Sequence, residues 1–450
     1  MLSGGSGKRL WPMSNDSRSK QFLRVLDDEE GQSVSMLQRN WRLLSELGLS
    51  KDAYICASRA QREVIEAQLG DVPFIEEPTR RDTFPAIALA SLYLADEVGC
   101  SDDEPVVVLP IDPMVDDAYF RSVIRLPQVL EESHCHLALM GVEPTEPTSK
   151  YGYVRVSGST NENWHLADGF TEKPDEALAK QLIADGALWN CGVFCFRLGY
   201  LRQFLMAGGY PSNFHELNES FATVRKASFD YEVVEKTASI AVLPFAGSWK
   251  DLGTWEALCT EMKRPFVGNG TAVECEDTHV INELGIPLVA AGLKDAIVVA
   301  TPDGILVSDK RHSAGIKNTV SELSGRPMFE ERSWGTYRVL DYQKLEDGTE
   351  VLTKCIELLP GRNISYQKHL LRSEVWTILQ GRGELILGDK LLRMEPGDVY
   401  RVYADQWHAI RALEPLMFIE VQRGSELVEE DIIRRFLTWE ETMEFYKSMQ

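Results

Sequence analysis

The chain has 450 residues, too many for one hydrophobic core, so two or three domains are expected. Apolar content of 44% and charged content of 26% suit a foldable globular protein, while a formal charge of −22 argues against a general binder of nucleic acid or of anionic membrane, since both need a broad basic surface. Eight cysteines without a C-x-x-C pair give neither a zinc ribbon nor a disulfide framework and read as reduced thiols of a cytoplasmic protein; no apolar run of about 18 residues or signal-peptide layout is present.

The first distinctive stretch is Leu2 to Leu23, LSGGSGKRLWPMSNDSRSKQFL. Gly4, Gly5, Ser6 and Gly7 make a turn with little side chain in the way, so backbone N–H groups can cradle phosphate oxygens. Lys8, Arg9, Arg18, Lys20 and Arg24 against one acid, Asp16, form a local basic patch on an acidic chain. An anionic small molecule is the natural partner. The Walker template fails, with Leu2 at its first glycine and Arg9 after Lys8, and the dinucleotide fingerprint fails at Leu10. Leu10-Trp11-Pro12 followed by Ser19-Lys20-Gln21-Phe22 resembles the signature of sugar-phosphate nucleotidylyltransferases, the mannose-1-phosphate guanylyltransferase branch in particular. In that family an apolar strand precedes the loop; here only Met1 and Leu2 stand for it, which implies a truncated start, a misassigned start or a central strand that begins short.

A helix is expected within Ser35 to Leu49, a short strand at Ala53 to Cys56, a second helix at Ala60 to Leu69 and another strand at Phe74-Ile75. This alternation predicts an α/β, Rossmann-like domain with a mostly parallel sheet and ligands at the carboxyl ends of its strands. Arg80-Arg81-Asp82 and Pro85 resemble the family's segment beside the nucleotide base, with Asp82 and Phe84 where Asn and Ala are usual. Pro105 to Pro110 reads as a buried strand delivering Asp112 to its end, where a carboxylate is placed to hold Mg²⁺; Asp before Pro113 also suits a turn cap. The family motif has His in place of Pro113.

Tyr151-Gly152-Tyr153, Glu172-Lys173-Pro174 and Trp189-Asn190-Cys191-Gly192 resemble the family's sugar-contacting segments. The resemblance implies Gly152, Glu172, Lys173 and Asn190 as sugar-phosphate ligands, Lys173 as a point charge for the phosphate. Helical stretches are expected over Leu198 to Met206 and much of Asn213 to Thr237. Trp249-Lys250-Asp251-Leu252-Gly253 supplies the second carboxylate for Mg²⁺. Short β runs separated by Gly, Asn and Asp turns follow from about residue 270, and Ser324 to Pro327 reads as a linker. Three regions result: a nucleotidylyltransferase domain over 1–265, a β-rich extension over 266–323 and a third domain over 328–450.

In the third region Gly361, Gln367, His369, Glu374 and Gly381, then Gly397 and His408, match the two cupin motifs of a small β-barrel. Two histidines, a carboxylate and an amide oxygen suit a borderline divalent ion such as Zn²⁺. The same ligand types, with Arg372, resemble the mannose-6-phosphate isomerase domain of type II bifunctional enzymes, but Leu370, Leu371 and Val375 replace further histidines, and leucine carries no proton. The resemblance implies transfer of a nucleotidyl group from GTP to α-D-mannose 1-phosphate, with Gly4 to Arg9 on the triphosphate, Arg9, Lys20, Asp112 and Asp251 in catalysis, and Mg²⁺ as cofactor. The same chemistry on another sugar 1-phosphate or base, and a silent sugar-phosphate sensor, are the rival readings. The sequence leaves open whether the cupin isomerises mannose 6-phosphate and whether the chain forms a homo-oligomer.

Overall fold

The computed structural model describes residues 1–4, 8–15, 18–157, 163–323, 325–428 and 431–449. Gly5, Ser6 and Gly7 of the opening loop, and the side chain of Lys8, lie outside what it describes. The chain divides into two compact units, the first made of Met1–Gly7, Ser19–Arg62 and Asp71–Lys263, the second of Lys8–Arg18, Glu63–Gly70 and Arg264–Gln450.

In the first unit the short opening strand is used in full. Leu2 bridges Cys56 on one side and Pro110 on the other, both in parallel. Its N–H donates to Leu109 O at 2.8 Å, and Ile111 N–H returns to Leu2 O at 3.2 Å. Strands β1 (Ile55–Ser58) and β2 (Phe74–Glu77) pair in parallel beside it. Asp112 and Ser3-Gly4 therefore leave the sheet side by side.

A six-stranded sheet comprises β3 (Pro105–Val108), β5 (Leu137–Val142), β6 (Tyr153–Val156), β7 (His165–Thr171), β8 (Leu188–Arg197) and β9 (Ile240–Phe245), in the order β3-β8-β5-β9-β7-β6. β5 and β9 run parallel, whereas β8 runs against both β3 and β5. Every residue of β5 is buried because each face has its own core. Leu137 and Leu139 pack with Phe84, Phe194 and Phe229, while the alternate Ala138 and Met140 pack with Tyr119, Phe120 and Trp189. Helix α1 (Met36–Glu46) starts from a capping box between Ser35 and Gln38, and α2 (Thr83–Tyr93) starts from Asp82, whose carboxylate accepts Thr83 N–H. Between Asn213 and Thr237 the expected helix is divided into short pieces, including Phe214–Ser220 and the single turn α3 (Phe229–Glu232), each restarted by a polar cap, Asn213 and Ser228. Outside the main sheet, β4 (Pro113–Val115) and β10 (Trp249–Asp251) form a two-stranded antiparallel ribbon.

The second unit begins its long segment with the expected short strands. β11 (Phe266–Gly268), β13 (His279–Asn282) and β15 (Ala296–Thr301) stack in parallel, as do β12 (Gly270–Val273) and β14 (Leu288–Ala291), and β16 (Gly304–Asp309) closes the edge of β15 antiparallel. Two stacks of parallel strands from alternating short runs make a small coil, held at one corner by Asn282, whose Nδ2 donates to Asn269 O and Ile286 O at 2.8 Å.

Two antiparallel sheets follow. One orders β17 (Phe329–Arg332), β18 (Gly335–Lys344), β19 (Glu350–Leu358), β26 (Leu416–Gly424), β21 (Arg372–Gln380) and β24 (Val399–Val402). The other orders β23 (Lys390–Met394), β22 (Gly383–Leu387), β25 (His408–Ala412), β20 (Asn363–Lys368) and β27 (Ile433–Phe436). Alternate residues of each strand fill the space between them, with Leu352, Trp376, Leu385, Ile410 and Phe418 at the centre. The terminal helix runs from Trp439 to Ser448; β27 takes Phe436, and Thr438 caps the helix with Glu441.

Candidate functional site

The β4/β10 ribbon explains how two acids far apart in sequence meet. Its register sets Asp251 opposite Pro113, so the carboxylate of Asp112, one residue earlier, lies beside that of Asp251. The ribbon is fixed from beneath by buried Asn40, whose Nδ2 donates to Ile111 O at 2.9 Å and to Pro113 O at 3.0 Å. Lys20 stands on a 3₁₀ turn (Lys20–Phe22) tied to the opening strand by Gln21, whose Nε2 donates to Ser3 Oγ at 2.9 Å. Its Nζ lies 2.8 Å from Asp112 Oδ2 and 2.6 Å from Asp251 Oδ1. Burial works against the ammonium, yet the two carboxylates outweigh it and hold the Lys20 pKa above its ordinary value. The pair thus already holds one cation, and its convergent oxygens fit a hard divalent ion such as Mg²⁺.

Close by, Tyr151 packs edge-on against Trp189 and Trp249 at centroid distances of 5.0 and 5.1 Å. Burial and the nearby Asp251 charge raise its phenol pKa, so the hydroxyl stays protonated at neutral pH. Arg9 is exposed on the turn Lys8–Leu10 and belongs to the second unit; Gly4 is exposed in the first.

The four residues expected at the sugar phosphate come together. Asn190 N–H donates to Gly152 O at 2.8 Å, across the pairing of β8 with β6. A Cβ on Gly152 would meet Glu172 Oε2 at 2.5 Å and the Phe170 ring at 2.8 Å, so the absent side chain is what admits the Glu172 carboxylate. Glu172 accepts from Lys173, which takes a left-handed backbone with φ of 46°. One further member of this group was not among the expected sugar-phosphate ligands, although its stretch, Phe229-Asp230-Tyr231, resembles a family segment. Asp230, on α3, accepts from Asn190 Nδ2 at 2.5 Å, and burial, then the Glu172 charge, push its carboxyl up to about 6.

In the barrel, strand register gathers the third set. Gln367 pairs opposite His408, and Glu374 pairs opposite Gln422. His369, Glu374 and His408 bring ligand atoms within 4.8 Å of one another, all three residues buried. Gln367 Nε2 lies 3.4 Å from His369 Nε2. Burial pushes His369 down to about 4 and lowers His408, so both imidazoles are neutral at pH 7. Their outer nitrogens are fixed by carbonyls, His369 Nδ1 at 2.6 Å from Asp431 O and His408 Nδ1 at 3.0 Å from Gln406 O, so each presents Nε2 to the centre. His408 Nε2 is buried and among the described residues has no hydrogen-bond partner, 4.0 Å from Glu374 Oε2. An orphaned imidazole nitrogen facing a carboxylate fits a metal of the zinc type.

Arg372 holds Glu374 Oε1 at 3.0 Å and approaches His369 Nε2 at 3.3 Å. Behind Glu374 lies a second buried acid, Glu420, opposite Trp376 in the register. Trp376 Nε1 donates to both carboxylates at 3.1 Å, and Gln422 Nε2 spans the same two groups at 3.5 and 2.7 Å. Burial and the neighbouring Glu374 push Glu420 up to about 8. Glu420 and Gln422 were absent from the sequence expectations, although Leu416, Phe418, Glu420 and Gln422 alternate onto one face of β26, a signal of polar groups turned inward. Leu370 and Leu371, in place of histidines, are 51% and 42% exposed.

An α/β domain with a paired-carboxylate site at strand ends, together with a cupin barrel, defines a nucleotidyltransferase with a second, metal-site domain. The family model described as Nucleotidyl transferase matches residues 1–264, and the model described as Mannose-6-phosphate isomerase C-terminal matches residues 327–436. The chain belongs to the nucleotidyl transferase family and is an enzyme of that kind. It is 32% identical to the xanthan biosynthesis protein XanB of Xanthomonas campestris pv. campestris (strain B100), over 96% of this chain and 97% of that protein. It is 29% identical to the mannose-1-phosphate guanylyltransferase RfbM of Salmonella typhimurium (strain LT2), over 96% of this chain and 95% of that one. Among solved structures, one from Thermus thermophilus named mannose-1-phosphate geranyltransferase aligns at a TM-score of 0.59 and 28% identity, over 72% of this chain and 98% of that one. No helix of the described residues is long and apolar enough to cross a membrane.

Proposed function

We propose that the first unit transfers GMP from GTP to the phosphate oxygen of α-D-mannose 1-phosphate, giving GDP-mannose and pyrophosphate. The observation that carries this reading is the Lys20–Asp112–Asp251 cluster, standing in the same unit as the Gly152–Glu172–Lys173–Asn190 cluster. It is supported by relatives such as RfbM, whose name states that activity. The attacking phosphate is already anionic, so no covalent enzyme nucleophile is needed and the protein's work is positioning and charge neutralisation. Asp112 and Asp251 would hold Mg²⁺, which when bound neutralises the α-phosphate. Lys20 exchanges its carboxylates for triphosphate oxygens, Lys173 holds the sugar phosphate, and Glu172 and Asn190 read sugar hydroxyls. For Gly4 to Gly7, Lys8 and Arg9 the family resemblance alone implies a role on the triphosphate.

In the barrel, Gln367, His369, Glu374 and His408 would hold a divalent ion of the zinc kind. This set favours a second activity, interconversion of mannose 6-phosphate and fructose 6-phosphate, for which the ion polarises the carbonyl oxygen. Leu370 and Leu371 offer no base, and a cupin that binds metal without isomerising is the outcome if that assay is blank.

The test is pyrophosphate release with Mg²⁺ across GTP, ATP, UTP and dTTP against mannose, glucose, fucose and heptose 1-phosphates. A single strong response at GTP with mannose 1-phosphate is expected. Strong release with another pair keeps the chemistry and replaces the substrate, and a blank grid from folded protein overturns the reading in favour of a sensor.

A further inference from the structure

Asp230 joins the sugar-phosphate cluster without a part in the reaction as described above. Its partner Asn190 is held at three points: its N–H donates to Gly152 O at 2.8 Å, its Oδ1 accepts Gly192 N–H at 3.1 Å, and its Nδ2 donates to Asp230 Oδ1 at 2.5 Å. The Gly192 bond decides which end of the amide is oxygen, because a flipped amide would set NH₂ against N–H. Asp230 takes the other end, so the two bonds together fix the amide plane.

Asp230 is itself positioned from α2. Phe229 N–H donates to Thr83 Oγ1 at 2.8 Å, and Phe84 N–H donates to Ala227 O at 3.1 Å, which pins the start of α3 to the start of α2. Asp230 is partly buried beside a second acid, Glu172, and its side-chain donor is the neutral amide of Asn190. A group of that kind is matched by donors that arrive with a ligand. Glu172 and Asp230 accept, Asn190 donates and accepts, and Lys173 is the cation. A molecule with a phosphate at one end and several hydroxyls at the other complements that set.

We propose that Asp230 is a sugar-reading residue that orients Asn190 and accepts a hydrogen bond from one ring hydroxyl of the hexose 1-phosphate. This rests on the sugar-phosphate reading of the site and adds the residue through which the hydroxyl pattern is selected. A hydroxyl bonded to a charged acceptor is distinguished sharply from its deoxy analogue, because the acceptor is then left unpaired.

The experiment uses the full chain, wild type and the variants Asp230→Asn and Asp230→Ala, with hexose 1-phosphate and its 2-, 3-, 4- and 6-deoxy analogues. For both variants KM for the hexose 1-phosphate is expected to rise about ten- to a hundredfold, with KM for GTP and kcat at saturating sugar close to wild type. One deoxy analogue is expected to be used about equally by wild type and Asp230→Asn, which identifies the hydroxyl. An unchanged KM overturns the proposal, and so do variants in which every deoxy analogue loses the same factor as in wild type, since Asp230 would then only support the fold. An active wild type with unaffected variants removes this proposal alone; a wild type inactive with every sugar phosphate removes the parent reading and this one with it.

Discussion

Lys20 Nζ lies 2.6 Å from Asp251 Oδ1, and the same ammonium reaches Asp112 Oδ2 at 2.8 Å. Without it the two carboxylates would face each other without that counter-charge. Lys20→Gln is therefore expected to lower the stability of the metal-free protein by about 1–3 kcal/mol, a range between exposed and buried pairs because the acids are 33% and 28% exposed. Mg²⁺ should raise the melting temperature of this variant more than that of wild type, since the ion no longer competes with a resident cation. Turnover should fall at least about a hundredfold in Lys20→Gln and in Asp251→Asn. Near-normal activity of Asp251→Asn in a folded protein would remove the metal role assigned to it.

Gly152 gives a sharper separation between the two substrates. Alanine there puts a methyl 2.5 Å from Glu172 Oε2 and 2.8 Å from the Phe170 ring, so the Glu172 carboxylate must move. Displacement of a positioning group by about 1 Å is worth up to about a hundredfold. KM for the sugar phosphate is expected to rise ten- to a hundredfold or so while KM for GTP holds. Equal changes in both constants would show that the glycine serves only packing.

The barrel metal can be tested without any activity. Glu374 and the two histidines are the proposed ligands, whereas Glu420 stands behind Glu374 and shares Trp376 and Gln422 with it. Removing an outer partner of a metal ligand typically costs about ten- to a hundredfold in affinity. His408→Ala is expected to leave the purified protein without zinc by elemental analysis. Glu420→Gln should retain zinc yet lose it to a competing chelator at least about tenfold more readily. Full zinc retention by His408→Ala would remove the proposed ligand set.

How much of this was legible in the sequence depended on whether a residue's meaning was local. Asp112 stood at the end of an apolar run and Asp251 in the segment Trp249 to Gly253, and the register of the β4/β10 ribbon joined them. The convergence of His369, Glu374 and His408 was readable from spacing because strand alternation carries their direction. Pro113, a departure from the family pattern, is the ribbon residue opposite Asp251. Asp230 stood in a stretch that resembles a family segment, but its part in the site was not readable in this way. Its meaning comes from Asn190, 40 residues earlier, and from Thr83, which holds the turn that carries it. The strand directions of the sheet were equally non-local: β8 has the apolar run of a buried strand whichever way it points, and only its neighbours decide that it runs against β3 and β5.

The raised pKa of Asp230 makes a prediction about stability with a definite sign. Its carboxyl moves from 3.8 to about 6 on folding, with burial as the first cause and Glu172 as the second. The folded chain therefore binds this proton more tightly than the unfolded chain does. The associated stability is fully present below about pH 4, is lost as pH rises through about 6, and leaves the ionised side chain as a cost at neutral pH. A shift of this size corresponds to at most about 3 kcal/mol. Asp230→Asn cannot ionise, so in the absence of substrates it should melt higher than wild type at pH 7.5, and the gap should close as pH falls towards 4. Melting curves of both proteins over that range measure it, the difference cancelling groups they share. A gap independent of pH would mean that the asparagine acts by packing, and a variant less stable than wild type at pH 7.5 would show that the Asn190 bond outweighs the buried charge.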